Sequence, residues 1–435
     1  MEKSNNSEYE AKFPRILIIS HNSFNMSNNM GKTLCDIFKY WPKDCLGQLY
    51  FRNEKPTKQS CNTYYMITDI DMVKCRYKKQ IGISFEDKDI DEIIQLNENK
   101  ELVNNIYNIG KKRKPYMYIA RNLLWSTNRW NSKKLEEWID NFKPDLIYFA
   151  SGGYAFSCKI ALEIAKKRGI PMITQVFDDF YIGETKTISP LYHLNRRQFK
   201  YVFNKVMKYS KKCIYVCDAM KKDYDNIFGE KSEVLMTSSE KIEKSNINDS
   251  NKIKVSYIGN LGLGRWKSLL DVGKSIKELS YNSINIDVYS VETRDEIIKN
   301  MTKENGINFH GSIGPKEVKK VIKYSDVLIH VESMHNINRE KVKYSISTKI
   351  AESLNSGACI FAYGPSEVAS INYLKENNSA WVVSNKSELE ENLRKLLEQK
   401  EARDLIIQNA YSLAHKRHNE SVNKEKFKKI VLDVI

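Results

Sequence analysis

The stretch KIKVSYIGNLGLGRWKSLLDVGKSIKEL (252–279) runs from a β-branched strand through a glycine-rich loop into a segment whose apolar residues recur at helical spacing over 268–279. The same unit then repeats to the end of the chain. NIDVYSV (285–291) precedes TRDEIIKNMTKEN (293–305), and GINFHG (306–311) precedes PKEVKKVIKYS (315–325). VLIHVES (327–333) precedes STKIAESLNSG (347–357), ACIFAYG (358–364) precedes SEVASINYLKENN (366–378), and AWVVS (380–384) precedes KSELEENLRKLLEQKEAR (386–403). Strict strand–helix alternation requires parallel strands joined by right-handed crossovers, so 252–418 is expected to be a doubly wound α/β domain.

Working backwards, the first half shows the same grammar less regularly. RILIISH (15–21), DLIYFA (145–150), IPMITQVFD (170–178), CIYVCD (213–218) and SEVLMT (232–237) read as strands. GKTLCDIFKYW (31–41) and FSCKIALEIAKKRG (156–169) read as helices, and 114–142 as one or two long ones. Residues 70–115 are polar and irregular and are expected to be an insertion. The aperiodic SSEKIEKSNINDSN (238–251) reads as a linker. The expectation is therefore two domains, 1–237 and 252–418, with a last helix over 419–435 returning to the first domain. A length of 435 residues suits that division.

Composition narrows the class. With 41% hydrophobic and 29% charged residues the chain is ordinary for a globular protein. Its longest early aliphatic run, Ile16–Ile19, is far too short to span a bilayer, and the polar start Met1–Glu10 lacks a signal-peptide pattern. A cytoplasmic location is expected. None of the eight cysteines forms a Cys-x-x-Cys pair, and Cys213 and Cys217 fall in an apolar strand, where they read as core packing. The histidines show no metal-site spacing, and Asp69-Ile70-Asp71 is a short acidic triplet of low specificity, so no metal site is expected. The net charge of +16 admits nucleic acid, an anionic membrane surface or anionic substrates as partners. The chain has no recognisable nucleic-acid module, which leaves small anions and docking to the inner face of the plasma membrane.

Two segments carry chemistry. In YIGNLGLGRWKSLL (257–270) the glycines Gly259, Gly262 and Gly264 let a ligand approach the backbone, and Arg265 and Lys267 add cations suited to a diphosphate. The spacing G-x-x-G-x-G is not the dinucleotide fingerprint, and a plain turn with two solvated cations is the bland alternative. In KYSISTKIAESLNSGACIFAYGP (343–365), Ser347 or Thr348 is placed to cap a helix whose first turn carries Lys349, an unfavourable position unless an anion faces it. Glu352 follows one turn later and suits the two hydroxyls of a ribose.

Together, GNLGLGR, SDVLIHVES and SISTKIAESLNSGACIFAYGPSEVASINYL resemble the nucleotide-binding half of family 4 glycosyltransferases of GT-B architecture. The match covers about 250–410 well and the N-terminal half loosely. The resemblance implies two Rossmann-like domains facing a cleft. It also implies metal-independent, retaining transfer of a sugar from a nucleotide sugar, a UDP-sugar foremost, to a saccharide or lipid-linked acceptor in surface-polysaccharide or glycoconjugate synthesis, with no cofactor. Glu352 matches the second glutamate of the family's E-x7-E motif, and the first falls at Tyr344. Ser345, Ser347, Thr348 and Lys349 occupy the region contacting donor sugar or phosphate. Asn260 stands where the family has a basic residue, with Arg265 or Lys267 as substitutes. Gly311-Ser312-Ile313 matches the loop against the base. On the acceptor side Gly31 and Lys32 match a glycine-rich loop, although Met26 rules out a P-loop. Asp178 and Asp179, after strand 170–177, match a polar position beside the donor sugar, with a capped loop as the alternative. Arg265, Lys349, Asp178 and Asp179 are the expected catalytic set. The Tyr344 and Asn260 departures keep open a non-catalytic GT-B subunit assisting a partner transferase, and a nucleotide-sugar epimerase shares the architecture.

Overall fold

The computed structural model describes residues 13–26, 29–74, 81–92, 115–183, 187–244, 253–279 and 284–435. The first sheet has eight strands: β1 (Ile16–Ser20), β2 (Leu46–Tyr50), β3 (Thr63–Met66), β4 (Ile83–Glu86), β5 (Leu146–Ser151), β6 (Met172–Val176), β7 (Lys212–Tyr215) and β8 (Ser232–Val234). Its helices are α1 (Asn29–Phe38), α2 (Asp69–Lys74), α3 (Pro115–Ser126), α4 (Lys133–Phe142), α5 (Ala155–Arg168), α6 (Pro190–Tyr209) and α7 (Asp218–Phe228). The order is β4-β3-β2-β1-β5-β6-β7-β8, parallel except for β3 with β4. The chain winds outward from β1 and then resumes on its other side at β5. The switch point therefore lies between the carboxyl ends of β1 and β5.

The second sheet repeats the plan with six strands, β9 (Val255–Ile258), β10 (Ile286–Tyr289), β11 (Ile307–Gly311), β12 (Val327–Val331), β13 (Cys359–Tyr363) and β14 (Trp381–Val383), all parallel in the order β11-β10-β9-β12-β13-β14. Here the switch point lies between β9 and β12. Its helices are α8 (Arg265–Glu278), α9 (Asp295–Ile298), α10 (Pro315–Tyr324), α11 (Asn336–Val342), α12 (Thr348–Leu354), α13 (Ala369–Glu376), α14 (Leu389–Glu398) and α15 (Lys400–Arg417), and α16 (Glu420–Leu432) ends the chain. The expected helix over 293–305 is only one turn of α-helix and one of 3-10 helix, because the segment turns at Asn300–Thr302 to bury Met301.

The region expected to be an irregular insertion is partly regular. Residues 69–74 form α2, and 83–86 form β4, the antiparallel edge of the sheet. Residues 75–80 and 93–114 lie outside the described set. Over 238–244 the linker region has no regular structure, and 245–251 lies outside the described residues. Both Asp69 and Asp71 serve locally. Asp69 accepts from Arg121 Nε (2.9 Å) and Trp125 Nε1 (2.7 Å), and Asp71 accepts from the Thr68 backbone N–H (2.8 Å). Among the described residues no three metal-ligating side chains cluster, and no helix is long and apolar enough to cross a membrane.

The two units share apolar contacts. Tyr344 packs into the first unit's core, and Val234 and Met236 pack with α12, α13 and α15. Helix α16 returns to the first sheet. Phe427 meets Phe38, Trp41 and Tyr148 edge-on at 5.1, 5.7 and 5.9 Å, and Arg417 grips Asp218.

At the return point His418, 1% exposed, donates from Nδ1 to the Thr237 carbonyl and accepts at Nε2 from the Tyr373 hydroxyl, both at 2.8 Å. Burial holds its pKa down to about 4. An unfolded chain takes that proton near pH 6.5, so between these values the unfolded state binds more protons and stability rises with pH. Lowering the pH from 6.5 to 5 is expected to cost about 1.6 kcal/mol at this residue. Denaturant midpoints measured across that range should fall more steeply for the wild type than for His418→Gln.

Candidate active site

The loop after β9 sits at the second switch point, and local hydrogen bonds shape it. The Asn260 side-chain oxygen accepts from the Gly262 N–H at 2.6 Å, and the Tyr257 hydroxyl donates to the Asn260 carbonyl at 2.9 Å. Leu263 and Gly264 are both left-handed, with φ of 54° and 78°. A Cβ at Gly264 would lie 2.6 Å from Ser333 Oγ and Asn338 Nδ2, so glycine lets the loop close on the segment after β12.

Arg265 opens α8 and points across the switch point to Glu332, just past β12. The contact is bidentate, with Nε to Oε2 at 3.0 Å and Nη2 to Oε1 at 2.9 Å. Glu332 is 2% exposed, and burial raises its carboxyl pKa against the opposing pull of Arg265. His330 stands 3.9 Å from the same carboxylate and bonds Ser370 Oγ at 3.0 Å. Burial, then Arg265, lower its pKa to about 3, so the imidazole is neutral. Arg265, expected to face phosphate, thus has its charge compensated by a buried carboxylate. Lys267 is exposed and lies over the Trp266 ring at 5.5 Å.

At α12, Ser347 is the N-cap and accepts from the Lys349 N–H at 3.3 Å. Lys349 and Glu352 are half-buried, and their side chains have no hydrogen-bond or ion-pair partner among the described residues. Burial lowers the Lys349 pKa. Glu352 opposes that shift, and Lys32, on α1 of the other unit, adds to it. Asp36, one turn after Lys32, is raised by burial, with Lys32 and Lys39 opposing and Glu352 contributing a small rise. Lys32 and Asp36 of α1 and Lys349 and Glu352 of α12 are thus within electrostatic reach of one another. Ser345 and Thr348 flank this point, whereas Gly311 (φ 73°) ends β11 and the exposed Ser312 follows it, on the sheet's far edge.

Tyr344 turns the other way. Its hydroxyl bonds Asp223 Oδ2 at 2.5 Å, Lys343 Nζ reaches the same oxygen at 3.2 Å, and Cys217 Sγ contacts the Tyr344 carbonyl at 3.3 Å. The position of the family's first glutamate here ties the two units together.

On the first unit, the β1–α1 loop is drawn tight. Glu54 accepts from the Ser23 N–H at 2.7 Å, and Gln48 accepts from the Phe24 N–H at 3.0 Å. A Cβ at Gly31 would lie 2.5–2.7 Å from backbone atoms of Ser23 and Asn25, so only glycine lets α1 start beneath this loop and present Lys32 to the cleft. Asp179 has a different task from the one expected. Its carboxylate accepts from the N–H groups of Tyr181 (3.0 Å), Ile182 (2.8 Å) and Gly183 (2.6 Å) and from the Tyr224 hydroxyl (2.6 Å). It closes the loop after β6. Asp178 keeps an exposed carboxyl, raised in pKa by the surrounding protein and then by Asp179.

The sequence reading passed over Glu332, Asp36 and His21. His21 directly follows β1 at the first switch point, its ring 4.3 Å from that of Tyr154, and its Nδ1 is buried without a partner. Burial, then Arg121 and Arg52, keep it neutral. Its place at the end of RILIISH was the available signal.

Residues 273–424 match a family model described as glycosyl transferase-like. No curated protein matches the chain in sequence. Among solved structures, HepE of Anabaena in complex with UDP is similar at a TM-score of 0.63 and 12% identity, covering 96% of this chain and 100% of that one. A glycosyltransferase from Rickettsia africae is similar at 0.57 and 13% identity, covering 96% and 99%. Sucrose-phosphate synthase of Thermosynechococcus elongatus is similar at 0.59 and 9% identity, with the same coverage. HepE has also been crystallised with UDP-glucose. The two-sheet frame is thus the GT-B fold, along nearly the whole chain.

Proposed function

We propose, from the premise of a glycosyl transferase-like domain set in a GT-B frame, that the chain transfers a sugar from a UDP-sugar to a saccharide or lipid-linked acceptor in the cytoplasm, with retention and without a metal ion, in the synthesis of a surface polysaccharide or glycoconjugate. The observation that carries this reading is the pair Lys32 and Lys349. Each has a carboxylate in electrostatic reach, Asp36 for Lys32 and Glu352 for Lys349, but no ion pair among the described residues; Lys32 disfavours the charge on Lys349, and a nucleoside diphosphate placed beside both offsets that repulsion. Glu352, one turn along, is placed for the ribose hydroxyls. Asn260, Gly262, Gly264, Ser345, Ser347 and Thr348 shape the donor pocket, with Gly311 and Ser312 on the base side.

In the reaction the bond between the anomeric carbon and the diphosphate oxygen breaks, the acceptor hydroxyl oxygen forms the new bond on the same face, and the hydroxyl proton passes to the departing diphosphate. Negative charge grows on the departing diphosphate, where Lys349 and Lys32 offset it with little reorganisation. Glu332 fixes Arg265 beside the glycine loop, making the pair a positioning element. Asp178 and His21 border the acceptor side, with Gly31 setting the position of α1.

A thermal-shift screen without metal against UDP-, GDP-, ADP- and dTDP-sugars tests the donor site. At a hundredfold excess over Kd the UDP series should stabilise the wild type by about 2.7 kcal/mol, a rise of several degrees. Glu352→Ala should abolish it. A shift with another series alone, or one that survives Glu352→Ala, would reject the assignment. Tyr344 favours a second reading, a non-catalytic subunit. Its engagement with Asp223 removes a donor contact, and that reading predicts donor binding without turnover until a partner is added.

A further inference from the structure

The chain's net charge of +16 is concentrated in two stretches of sequence. Residues 102–135 hold eight Lys and Arg and no Asp or Glu, and residues 185–217 again hold eight and none. These two acid-free segments therefore account for the whole excess, and the rest of the chain is balanced. Six of these cations lie on two neighbouring helices of the first unit, Arg121 on α3 and Arg196, Arg197, Lys200, Lys205 and Lys208 on α6, and the helices are joined by Asn122 Nδ2 donating to Asn195 Oδ1 at 2.9 Å and Gln198 Oε1 at 3.1 Å.

Helix α6 buries Phe199, Phe203, Val206 and Met207 against its own domain. Its outer face carries Leu191 and Leu194 (55% exposed), then Arg197, Tyr201 (61%), Lys205 and Lys208, at helical spacing. Ile188, fully exposed, stands just before it, and α3 adds Tyr116 and Leu123 (63%). Lys205 Nζ reaches the Tyr201 hydroxyl at 2.7 Å, so cation and ring share one face. Large apolar side chains interspersed with cations, and no acid, form the pattern of a helix lying in a membrane interface rather than of a solvated surface. Because α6 follows the loop at the carboxyl end of β6, its apolar N-terminal end lies at the cleft edge.

We propose that the α3–α6 face docks the first unit on an anionic lipid bilayer, with Ile188, Leu191 and Leu194 entering the interface and Arg197, Lys205 and Lys208 meeting lipid phosphates. This goes beyond the transfer chemistry and does not depend on it. Docking there holds the cleft mouth at the headgroup level, where a lipid-borne acceptor is presented.

The test is flotation of the full chain with vesicles of phosphatidylcholine alone or with about one third phosphatidylglycerol. The wild type should float with the anionic vesicles at low salt and stay behind with the neutral ones. The Arg197→Gln/Lys205→Gln/Lys208→Gln variant should bind the anionic vesicles on the order of a hundredfold more weakly. Leu191→Ser/Leu194→Ser should bind at low salt but release at a lower salt concentration than the wild type. All these positions are exposed, so the melting temperature should not change, and turnover of a water-soluble acceptor should be retained. Equal flotation of the charge variant, no flotation of the wild type, or binding to a DNA duplex without vesicle binding would overturn the proposal.

Discussion

Lys349→Ala is expected to lower kcat for sugar transfer by about a hundred- to a thousandfold, the usual effect of removing one preorganised group that meets developing charge. The structure explains why so much rests on this side chain. Arg265, the cation at the glycine loop, is held by Glu332 in two hydrogen bonds. Lys349 is half-buried, and the surrounding protein depresses its pKa, so its charge is poorly satisfied until an anion arrives. A charge in that condition interacts strongly with a diphosphate because little water competes. KM for the donor should rise as well, since part of the attraction exists before the bond breaks. Initial rates of UDP release with saturating acceptor would measure both. Wild-type kcat in the variant would remove Lys349 from the transition state.

Glu332→Ala is expected to destabilise the fold by about 3–5 kcal/mol, the typical result of removing one partner of a buried ion pair. Arg265 would be left with 18% of its side chain exposed, a charge with no carboxylate beside it. His330, kept neutral by burial and then by Arg265, offers no negative charge to replace the carboxylate. Glu332→Gln keeps the shape and one acceptor, and should cost less. Denaturant unfolding of both variants gives the comparison. Near-wild-type stability of Glu332→Ala would mean that the pair contributes nothing net. Because the damage is centred on the glycine loop, donor affinity should fall in both variants even where the protein remains folded.

The second domain was largely readable because its strands are short apolar runs and some of its helices have a start signal. Ser347 before Thr348 and Gly264 before Arg265 are examples. Helix α11, whose N-cap His335 makes no capping bond, was not expected. Strands β2 to β4 were not readable. LGQLY carries glycine and glutamine in the core, and Gln48 is tolerated there because Phe24, Ser20 and Asn22 satisfy its amide. Those partners are fixed by the fold, not by neighbours in sequence. The candidate site shows the same limit. Lys349 and Glu352 stood out because a lysine opens a helix, but the meeting with Lys32 and Asp36 depends on how two domains pack. Asp179 illustrates an ambiguity that sequence cannot resolve. A carboxylate after a strand serves a ligand or gathers loop N–H groups, and here three such groups and Tyr224 take it.

The most direct test of the donor site is a metal-free calorimetric titration of UDP into the wild type and into Lys32→Ala/Lys349→Ala. A single site in the wild type, weakened about a hundredfold or more in the variant, is the result expected if the two lysines hold the diphosphate. Equal affinity in both proteins, or no heat from the wild type at any concentration, would contradict it.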